Sequence, residues 1–499
     1  MRQRPAALLL LAALLACARN PVTGRPEIAL RSSAREAELG AEAARQVEES
    51  IGLVEDPALA GYVAALGGRL AQRSPRRDVA YRFFVADMAE PNAFALPGGY
   101  VFVSWGLLAI VSSEDELANV LAHEVVHVAA RHAVQRETRA LPVGILSALG
   151  TLAGGVVGGE ALARAIGAIP QIAGGLLLAS YSRDQEREAD RVGQELAAQA
   201  GWDPAAMATF LETMQAALAL EQAGGAGAAA GARPGFFDSH PSTPERARSA
   251  LQRAAGLERG PEPPLAPTRA AFLERLEGMR IGPDPAQGIF RDELYLHPDL
   301  DFALRFPPGW RTYNARDAVA AAAPEGDALV VLRVQGRGDD PRAAAVAFAR
   351  EHGLTLTEPE PFSVDGLRAV RALAGVQGRR GAFVADFSFV AHAGLVFRIT
   401  GAAPLSLYES RARSLAGTAR SFRRLSETER ASFTTLRLRV ARAGAGETLA
   451  ALAARTASAW PAARLAFANG LDPGRPLAAG EPVKIAVEEP YVPAATSSP

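Results

Sequence analysis

Leu121-Ala122-His123-Glu124-Val125-Val126-His127 is the stretch that decides how the first half of this chain is interpreted. A Ser-x-x-Glu capping box begins at Ser113, and the apolar residues after it recur at helical spacing. We therefore predict a helix on which His123 and His127 share one face, with their Cβ atoms about 6 Å apart. That spacing suits two imidazoles on one metal ion, with Glu124 placed to take a proton from a water molecule. The motif alone leaves open a helix whose histidines only form hydrogen bonds.

A second helix is predicted to supply a third ligand. A capping box at Ser182 marks its start. Glu186 and Asp190 lie four residues apart on one face of this helix, whereas Glu188 is predicted to point elsewhere. Glu186 would complete a His-His-Glu set with a fourth position open, and Asp190 would orient one imidazole through its N–H. A run of charged residues like this one more commonly forms a solvent-exposed helix face. Only the upstream His123–His127 motif favours a metal site instead.

Length and composition limit the classes of protein to which this chain can belong. The 499 residues are too many for one ordinary core, so two to four domains are expected. Hydrophobic residues make up 49% and charged residues 21%, as in globular proteins. The net charge of −1 provides no basic field, so nucleic-acid binding has no electrostatic support.

Residues 1–17 are predicted to be a targeting segment. Two arginines precede the apolar run Ala6–Ala16, which is too short to span a bilayer. Leu14-Leu15-Ala16-Cys17 resembles a bacterial lipobox, so Cys17 would carry the lipid anchor, and Ala18 after it favours the outer membrane. Plain secretion with removal of Cys17 is the alternative. Because Cys17 is the only cysteine, an intramolecular disulfide is excluded, and because it lies in the lipobox, a thiol nucleophile is excluded as well.

Three further segments of the first half have no catalytic motif of their own. We interpret Pro91–Gly99 as a loop and Tyr100–Trp105 as a strand, so that Gly98, Gly99 and Tyr100 would lie at an open sheet edge where a substrate peptide pairs. An ordinary hairpin strand is the alternative. Leu141–Tyr181 is apolar and glycine-rich, and we predict a lid or membrane-facing segment there in preference to a spanning helix. Gly224–Arg233 is predicted to be a surface loop.

Several motifs together resemble the HtpX/Ste-type zinc metallopeptidases, most closely their periplasmic BepA-like lipoprotein branch. The motifs that carry the resemblance are Asn20–Gly24, Pro91–Tyr100, His123–His127, Ser182–Asp190, and Ser239-His240-Pro241 with Arg246. They occur in family order across roughly the first 260 residues, which makes the joint match far more specific than any single motif. No tetratricopeptide period follows, so the resemblance does not extend to a role in outer-membrane assembly.

The resemblance implies a role for each matching position. One Zn²⁺ per chain would be held by His123, His127 and Glu186, with Glu124 as general base. Asp190 would contact the metal ligands without binding the metal itself. His240 matches a histidine that can approach the metal and keep the site closed until substrate arrives. Arg246 would lie near the substrate or the transition state.

The implied function is a zinc-dependent metalloendopeptidase of the bacterial cell envelope that hydrolyses peptide bonds in unfolded or misassembled proteins. Its partners would be protein and peptide substrates, the membrane through Cys17, and peptidoglycan through a C-terminal module. Its location would be the periplasm, lipid-anchored to the outer membrane. Two alternatives remain: a non-catalytic envelope-binding or peptidoglycan-binding lipoprotein on a protease scaffold, and a protease inserted in the bilayer.

The fold class predicted is α+β multidomain. A mainly helical, zincin-type (gluzincin-like) protease domain with a small edge-exposed sheet would be followed by an α+β sandwich-like domain, whose start resembles PsbP-like domains, and by a small LysM-like βααβ module. His297, His352 and His392 are isolated, and we interpret them as structural. The predicted boundaries are signal peptide 1–17, tether 18–31, metallopeptidase domain 32–285, PsbP-like domain 290–425, LysM-like domain 433–488 and flexible tail 489–499.

Overall fold

The computed structural model of this protein describes residues 17–24, 26–28, 32–135, 181–223, 236, 240, 244–378 and 381–493. In the N-terminal half, helices surround a small sheet. The predicted signal peptide up to residue 16, most of the predicted lid and the loop 224–233 lie outside the described residues. The chain is an α+β multidomain protein, as predicted.

Capping side chains fix where the N-terminal helices begin. Ser32 accepts a hydrogen bond from the Arg35 amide, and Asp56, which directly precedes Pro57, accepts hydrogen bonds from the amides of Ala58 and Leu59. The helices of this half are α1 (Ser33–Ser50), α2 (Pro57–Ala71), α3 (Trp105–Ile110), α4 (Glu114–Ala129), α5 (Arg183–Gln199), α6 (Ala206–Ala223), α7 (Pro244–Ala254) and α8 (Arg269–Leu276). Among the residues described, each helix falls short of the length and hydropathy that crossing a bilayer requires.

The sheet beside these helices corrects two predictions. Its strands β3 (Arg82–Ala86), β4 (Ala93–Leu96) and β5 (Tyr100–Ser104) are arranged in the order β3-β5-β4. The loop predicted for Pro91–Gly99 was therefore wrong over β4, which pairs antiparallel with β5. The predicted open edge at Tyr100 was also wrong, because β5 is the central strand and also pairs with β3.

The physical reason is the turn between β4 and β5. Gly98 and Gly99 have φ angles of 76° and 96°, values that glycine adopts freely, so the chain reverses within one tight hairpin. A Cβ on Gly98 would lie 2.8 Å from the Ala37 Cα of α1. The glycine pair therefore forms a tight turn that packs on α1. The edge strand on this side of the sheet is β4, not β5.

Helix α4 is the centre of the first hydrophobic core. Every side chain along it except Asp115 is buried, so it is enclosed on all sides by the other elements. Helix α5 packs along it, and α2, α6 and the sheet close the remaining faces. This burial removes the histidines of α4 from bulk water.

The second layer is a mainly antiparallel β domain. Its large sheet has the strand order β12-β13-β14-β15-β11-β10-β9, and a four-stranded sheet has the order β16-β8-β7-β6. The strands are β6 (Ile289–Arg291), β7 (Leu294–His297), β8 (Phe302–Arg305), β9 (Arg311–Ala315), β10 (Ala318–Ala322), β11 (Leu329–Arg337), β12 (Glu360–Val364), β13 (Leu367–Gly378), β14 (Gly381–His392), β15 (Leu395–Pro404) and β16 (Arg423–Arg424). Helices α9 (Pro341–His352) and α10 (Tyr408–Arg420) lie against the large sheet, and α11 (Glu427–Ala431) follows.

The C-terminal module has the predicted order of strand, two helices and strand. It comprises β17 (Thr434–Arg442), α12 (Leu449–Arg455), α13 (Ala462–Asn469) and β18 (Pro482–Pro490), with β17 and β18 antiparallel. Leu438 and Ala486 of this module belong to the same apolar core as α2 and α8. The amide of Leu438 also donates to the Met279 carbonyl at 2.8 Å. The module is thus packed against the N-terminal half of the chain and shares its core.

A buried amine joins the module to the segment in front of α4. Lys484 is the only lysine of the chain and is fully buried. Its Nζ donates to the carbonyls of Ala109 at 2.8 Å and Val111 at 2.6 Å, at the carboxyl end of α3.

Candidate active site

Helix α4 places His123, Glu124 and His127 where the sequence predicts them. The Ser113 hydroxyl caps the helix by accepting from the Glu116 amide. The return bond of the predicted capping box differs, because the Glu116 carboxylate accepts from the Ser112 amide. The two histidines therefore lie one turn apart on a helix with a fixed start.

Helix α5 brings the carboxylate of Glu186, the third predicted ligand, to the two histidines, because a glycine lets α5 approach α4 closely. Its capping box at Ser182 is complete, as predicted. A Cβ on Gly193 would lie 3.0 Å from the His123 amide nitrogen, so the backbones of α4 and α5 are nearly in contact. The side chain of Glu186 thereby reaches the two imidazoles.

The functional atoms form one buried cluster. The Nε2 atoms of His123 and His127 are 2.9 Å apart. Glu186 Oε1 lies 3.4 Å from His127 Nε2, and Glu186 Oε2 lies 3.6 Å from His123 Nε2. His240 Nδ1 completes the group at 3.0 Å from Glu186 and 3.2 Å from His123. One possible ligand atom from each of the four residues lies within 4.8 Å of the others.

The chemistry of this cluster fits a zinc ion. Glu124 Oε1 and Oε2 and His240 Nε2 are buried and find no hydrogen-bond partner among the described residues. Buried polar atoms are normally paired, so converging unpaired acceptors indicate a cation between them. Two imidazoles and one carboxylate are a donor set of catalytic zinc sites. We infer that His123, His127 and Glu186 would hold the metal.

Opposing effects set the protonation of the two glutamates. Burial raises the pKa of Glu124 and outweighs the attraction of His240 and His123. Burial would also raise the pKa of Glu186, but His240 and the hydrogen bond with His127 hold it well below its usual range. Glu186 is thus kept as the anionic ligand, while Glu124 is the stronger proton acceptor.

Asp190 lies behind the histidines, as predicted. Its Oδ1 is 3.1 Å from His123 Nδ1, the ring nitrogen that faces away from the cluster. Arg246 donates to both Asp190 oxygens at 2.8 Å, and its Nη1 lies 2.9 Å from Glu186 Oε2. Burial opposes ionisation of Asp190, but His123 and Arg246 bring its pKa to about 2. Arg246 therefore braces two carboxylates of α5 in this arrangement.

The remaining predicted residues lie in different places. His240 Nε2 is 3.4 Å from Glu124 Oε1, and its ring stacks on Phe236 at 4.5 Å, so it lies inside the site. Gly98, Gly99 and Tyr100 form the turn and central strand described above. Cys17 begins the short strand β1 (Cys17–Arg19), which pairs with β2 (Pro26–Ile28).

Two aromatic residues next to His127 were missed by the sequence analysis. Tyr181 stacks on the His127 ring at 3.9 Å between centroids, and His132 Nδ1 lies 2.8 Å from His127 Nδ1. Tyr181 directly precedes the capping box at Ser182, which was a signal that it lies near the site. His132 had no comparable signal, because a helix continued past His127 would turn it away.

Comparison with known proteins agrees with this geometry. Residues 57–254 match the model of Peptidase family M48. The beta-barrel assembly-enhancing protease of Escherichia coli K12 is 34% identical over 187 residues, covering 37% of this chain and 38% of that protein. The mitochondrial metalloendopeptidase OMA1 of Schizosaccharomyces pombe is 38% identical over 189 residues, covering 38% of this chain and 50% of that protein. This chain thus spans half or less of the length of both relatives.

A solved structure and a third relative complete the comparison. The metalloprotease LoiP of Escherichia coli K12 is 30% identical over 175 residues, covering 35% of this chain and 62% of that protein. The solution structure of cyanobacterial PsbP from Synechocystis is 11% identical with a TM-score of 0.23, covering 28% of this chain and 95% of that one. A TM-score this low supports no conclusion about function. The residues that match this family model, 57–254, include His123, His127 and Glu186.

Proposed function

We propose that this protein is a zinc-dependent metalloendopeptidase of the bacterial cell envelope. The observation that carries the proposal is one buried cluster in which His123, His127 and Glu186 converge beside Glu124, whose buried carboxylate accepts no hydrogen bond from the described residues. A buried carboxylate without a hydrogen bond lowers stability, and a protein that only binds other molecules does not need such a base next to a metal site.

In this mechanism the chain holds the metal and moves the protons. Bound zinc supplies Lewis-acid activation of a water molecule and of the scissile carbonyl. Glu124, whose pKa burial raises, accepts the proton of the attacking water and returns it to the leaving amine. The Nδ1 atom of His123 lies next to Asp190, and the Nδ1 atom of His127 lies next to His132. These contacts orient both rings so that their Nε2 atoms face the cluster.

His240 is proposed to have two positions. Its Nδ1 is close to both His123 and Glu186, so in this arrangement it takes the place that water or substrate needs. Withdrawal of His240 would open the site, and from a neighbouring position its ring would donate to the carbonyl oxygen that becomes negative. Arg246 would act mainly by holding Glu186 and Asp190 in place.

Strand β4 is the proposed binding edge for substrate. Within the described residues β4 pairs only with β5, so its other edge is free for an extended peptide. The Phe236 amide donates to the Pro91 carbonyl just before β4, which places the His240 segment beside this strand. Pairing through backbone groups suits unfolded proteins, because they present extended chain of any sequence.

The location proposed is the periplasm, with a lipid anchor on Cys17. Asn20 is buried in a turn, and its side-chain amide lies 3.4 Å from the Ala130 carbonyl at the end of α4. Three residues span at most about 10 Å, so the anchor would hold the site close to the membrane. The βααβ order of the last module is the basis for proposing that it is LysM-like and contacts peptidoglycan. Lipid labelling of the wild type that persisted in Cys17→Ser would contradict the anchor.

The test of the proposed activity compares two glutamate substitutions. Glu124→Gln should lower cleavage of unfolded casein by about 10²–10⁴-fold while one zinc per chain remains bound. Glu245→Gln, on the exposed face of α7, is the matched control and should cleave normally. Removal of zinc by a chelator should abolish cleavage in both active proteins.

Two results would count against the proposal. Equal cleavage by the wild type and Glu124→Gln would remove the mechanism. Stoichiometric zinc without cleavage by the wild type would favour the non-catalytic envelope-binding alternative.

A further inference from the structure

The position of His132 depends on an interruption of α4. Each residue advances about 100° around a helix, so a residue five beyond His127 would point about 140° away from it. The helix instead ends at Ala129, and Arg131 adopts a φ of 58° in the left-handed region. This reversal turns the His132 ring back beneath His127, where it is completely buried.

A buried ion pair holds the unusual turn in place. The left-handed conformation is unfavourable for residues with a Cβ, so it persists only where surrounding contacts fix it. The Arg131 guanidinium forms a salt bridge with Glu36 of α1, and Arg76 donates to the same carboxylate at 2.8 Å. Three separate segments therefore cooperate to keep His132 next to a zinc ligand.

The hydrogen bond between the rings fixes their tautomers. His127 Nε2 faces the cluster and must present a lone pair there, so its proton lies on Nδ1. His132 Nδ1, 2.8 Å away, must then accept the hydrogen bond from His127 Nδ1–H, which places the proton of His132 on Nε2. His132 Nε2 lies 3.7 Å from Glu188 Oε2, and neither His132 Nε2 nor Glu188 Oε1 has a hydrogen-bond partner among the described residues.

We propose that His132 is a positioning residue for zinc: it accepts the Nδ1–H of His127 and so fixes the tautomer that offers Nε2 to the metal. Glu188 orients His132 in turn. The inference rests on the proposed zinc site. Helix α5 then carries the ligand Glu186 and two supporting carboxylates. Asp190 contacts His123 directly, and Glu188 supports His127 through His132.

The substitutions His132→Asn and His132→Leu separate this role from simple packing. The two new side chains have nearly the same size and branching, but only asparagine keeps an acceptor close to the position of Nδ1. Loss of such an outer partner weakens metal binding by about 10–100-fold. We expect that loss in His132→Leu, and a change of less than about threefold in His132→Asn.

The measurement is the zinc dissociation constant of the full chain by competition with a chromogenic chelator. The visible spectrum of the cobalt-substituted protein reports whether the ligand geometry is kept. The same asparagine and leucine pair at His392, a buried histidine of β14, is the control and should leave zinc affinity unchanged. Glu188→Gln, on a partly exposed residue, should weaken binding less than His132→Leu and provides a second variant if the leucine protein does not fold.

The outcomes separate the inference from the proposed function. A wild type without stoichiometric zinc would overturn the proposed function itself. A zinc-binding wild type with equal affinity in His132→Leu would overturn only the role of His132. Equal weakening in the asparagine and leucine variants would assign His132 to packing, whereas selective weakening in the leucine variant with a changed cobalt spectrum supports the inference.

Discussion

Single buried side chains determine both the chemistry and the acid sensitivity of this protein. Glu124 and Glu186 are both enclosed, yet the pKa of one is raised and that of the other is lowered. The difference comes from their partners, since Glu186 is in contact with His127, His240 and Arg246 whereas both oxygens of Glu124 lack a hydrogen bond. One carboxylate is thereby suited to hold a cation and the other to accept a proton.

His297 in the second domain predicts how stability depends on pH. Burial lowers its pKa from 6.5 to about 4, and its Nδ1 accepts from the Leu300 amide. Between those pH values the unfolded chain binds a proton that the folded chain does not, so stability falls as pH is lowered from 6.5 to 4. The loss is about 3 kcal/mol at 1.36 kcal/mol per pKa unit.

Hydrogen exchange of β7 and β8 as a function of pH measures this loss. The variant His297→Gln carries no titrating ring and should show a flatter dependence over the same range. A wild type and variant whose difference in stability stayed constant from pH 7 to pH 4 would contradict the assignment.

Contact between two helices determines whether the metal ligands can meet. Helices α4 and α5 touch at Gly193, where a side chain would meet the His123 backbone. Gly193→Val should therefore push α5 away, lower the free energy of unfolding by about 1–3 kcal/mol and weaken zinc binding. Chemical denaturation and chelator competition measure the two effects.

Gly61 provides the matched control for that substitution. It lies within α2, and a Cβ there would meet nothing within 4 Å. Gly61→Val should leave zinc affinity unchanged and alter stability by less than about 1 kcal/mol. Equal effects at both glycines would show that helix propensity, not contact between the helices, is responsible.

The sequence predicts elements well where a local signal marks their ends. Side chains that cap a helix, such as Ser113 and Ser182, gave correct helix starts because the cap acts within three residues. Strand β4 was missed because four residues between proline-containing and glycine-containing turns carry too little periodicity. Its identity depends on pairing with β5, which only the folded chain shows.

The same contrast holds at the candidate site. The positions of His123, Glu124, His127 and Glu186 follow from helical spacing together with a family resemblance. The contact of His132 with His127 does not, because it depends on one left-handed residue held by a distant glutamate. Glu188 was predicted to point away from the site, and its carboxylate instead lies beside His132.

At the scale of the whole molecule, the C-terminal module and the N-terminal helical domain share one core. Lys484→Met would leave the carbonyls of Ala109 and Val111 without this donor in a buried setting. We expect the free energy of unfolding to fall by roughly 2–5 kcal/mol, with a lower thermal midpoint in calorimetry. Because α3 leads directly into α4, cleavage activity should fall as well.

Arg475 of the same module is the control for this effect. Its side chain is 43% exposed and pairs with Glu481, so Arg475→Met should change stability by less than about 1 kcal/mol. An unchanged midpoint in Lys484→Met would show that the buried amine does not hold the two parts together.

The enclosure of the chain's single lysine also has a practical consequence. An endoproteinase specific for lysine has one side-chain target here, the bond after residue 484, and that bond lies in a strand whose amine points into the interior. Cutting at this bond, or acylation of its amine, therefore requires the last module to detach first. The yield of a single clipped fragment over time would count those opening events directly in the unlabelled native protein.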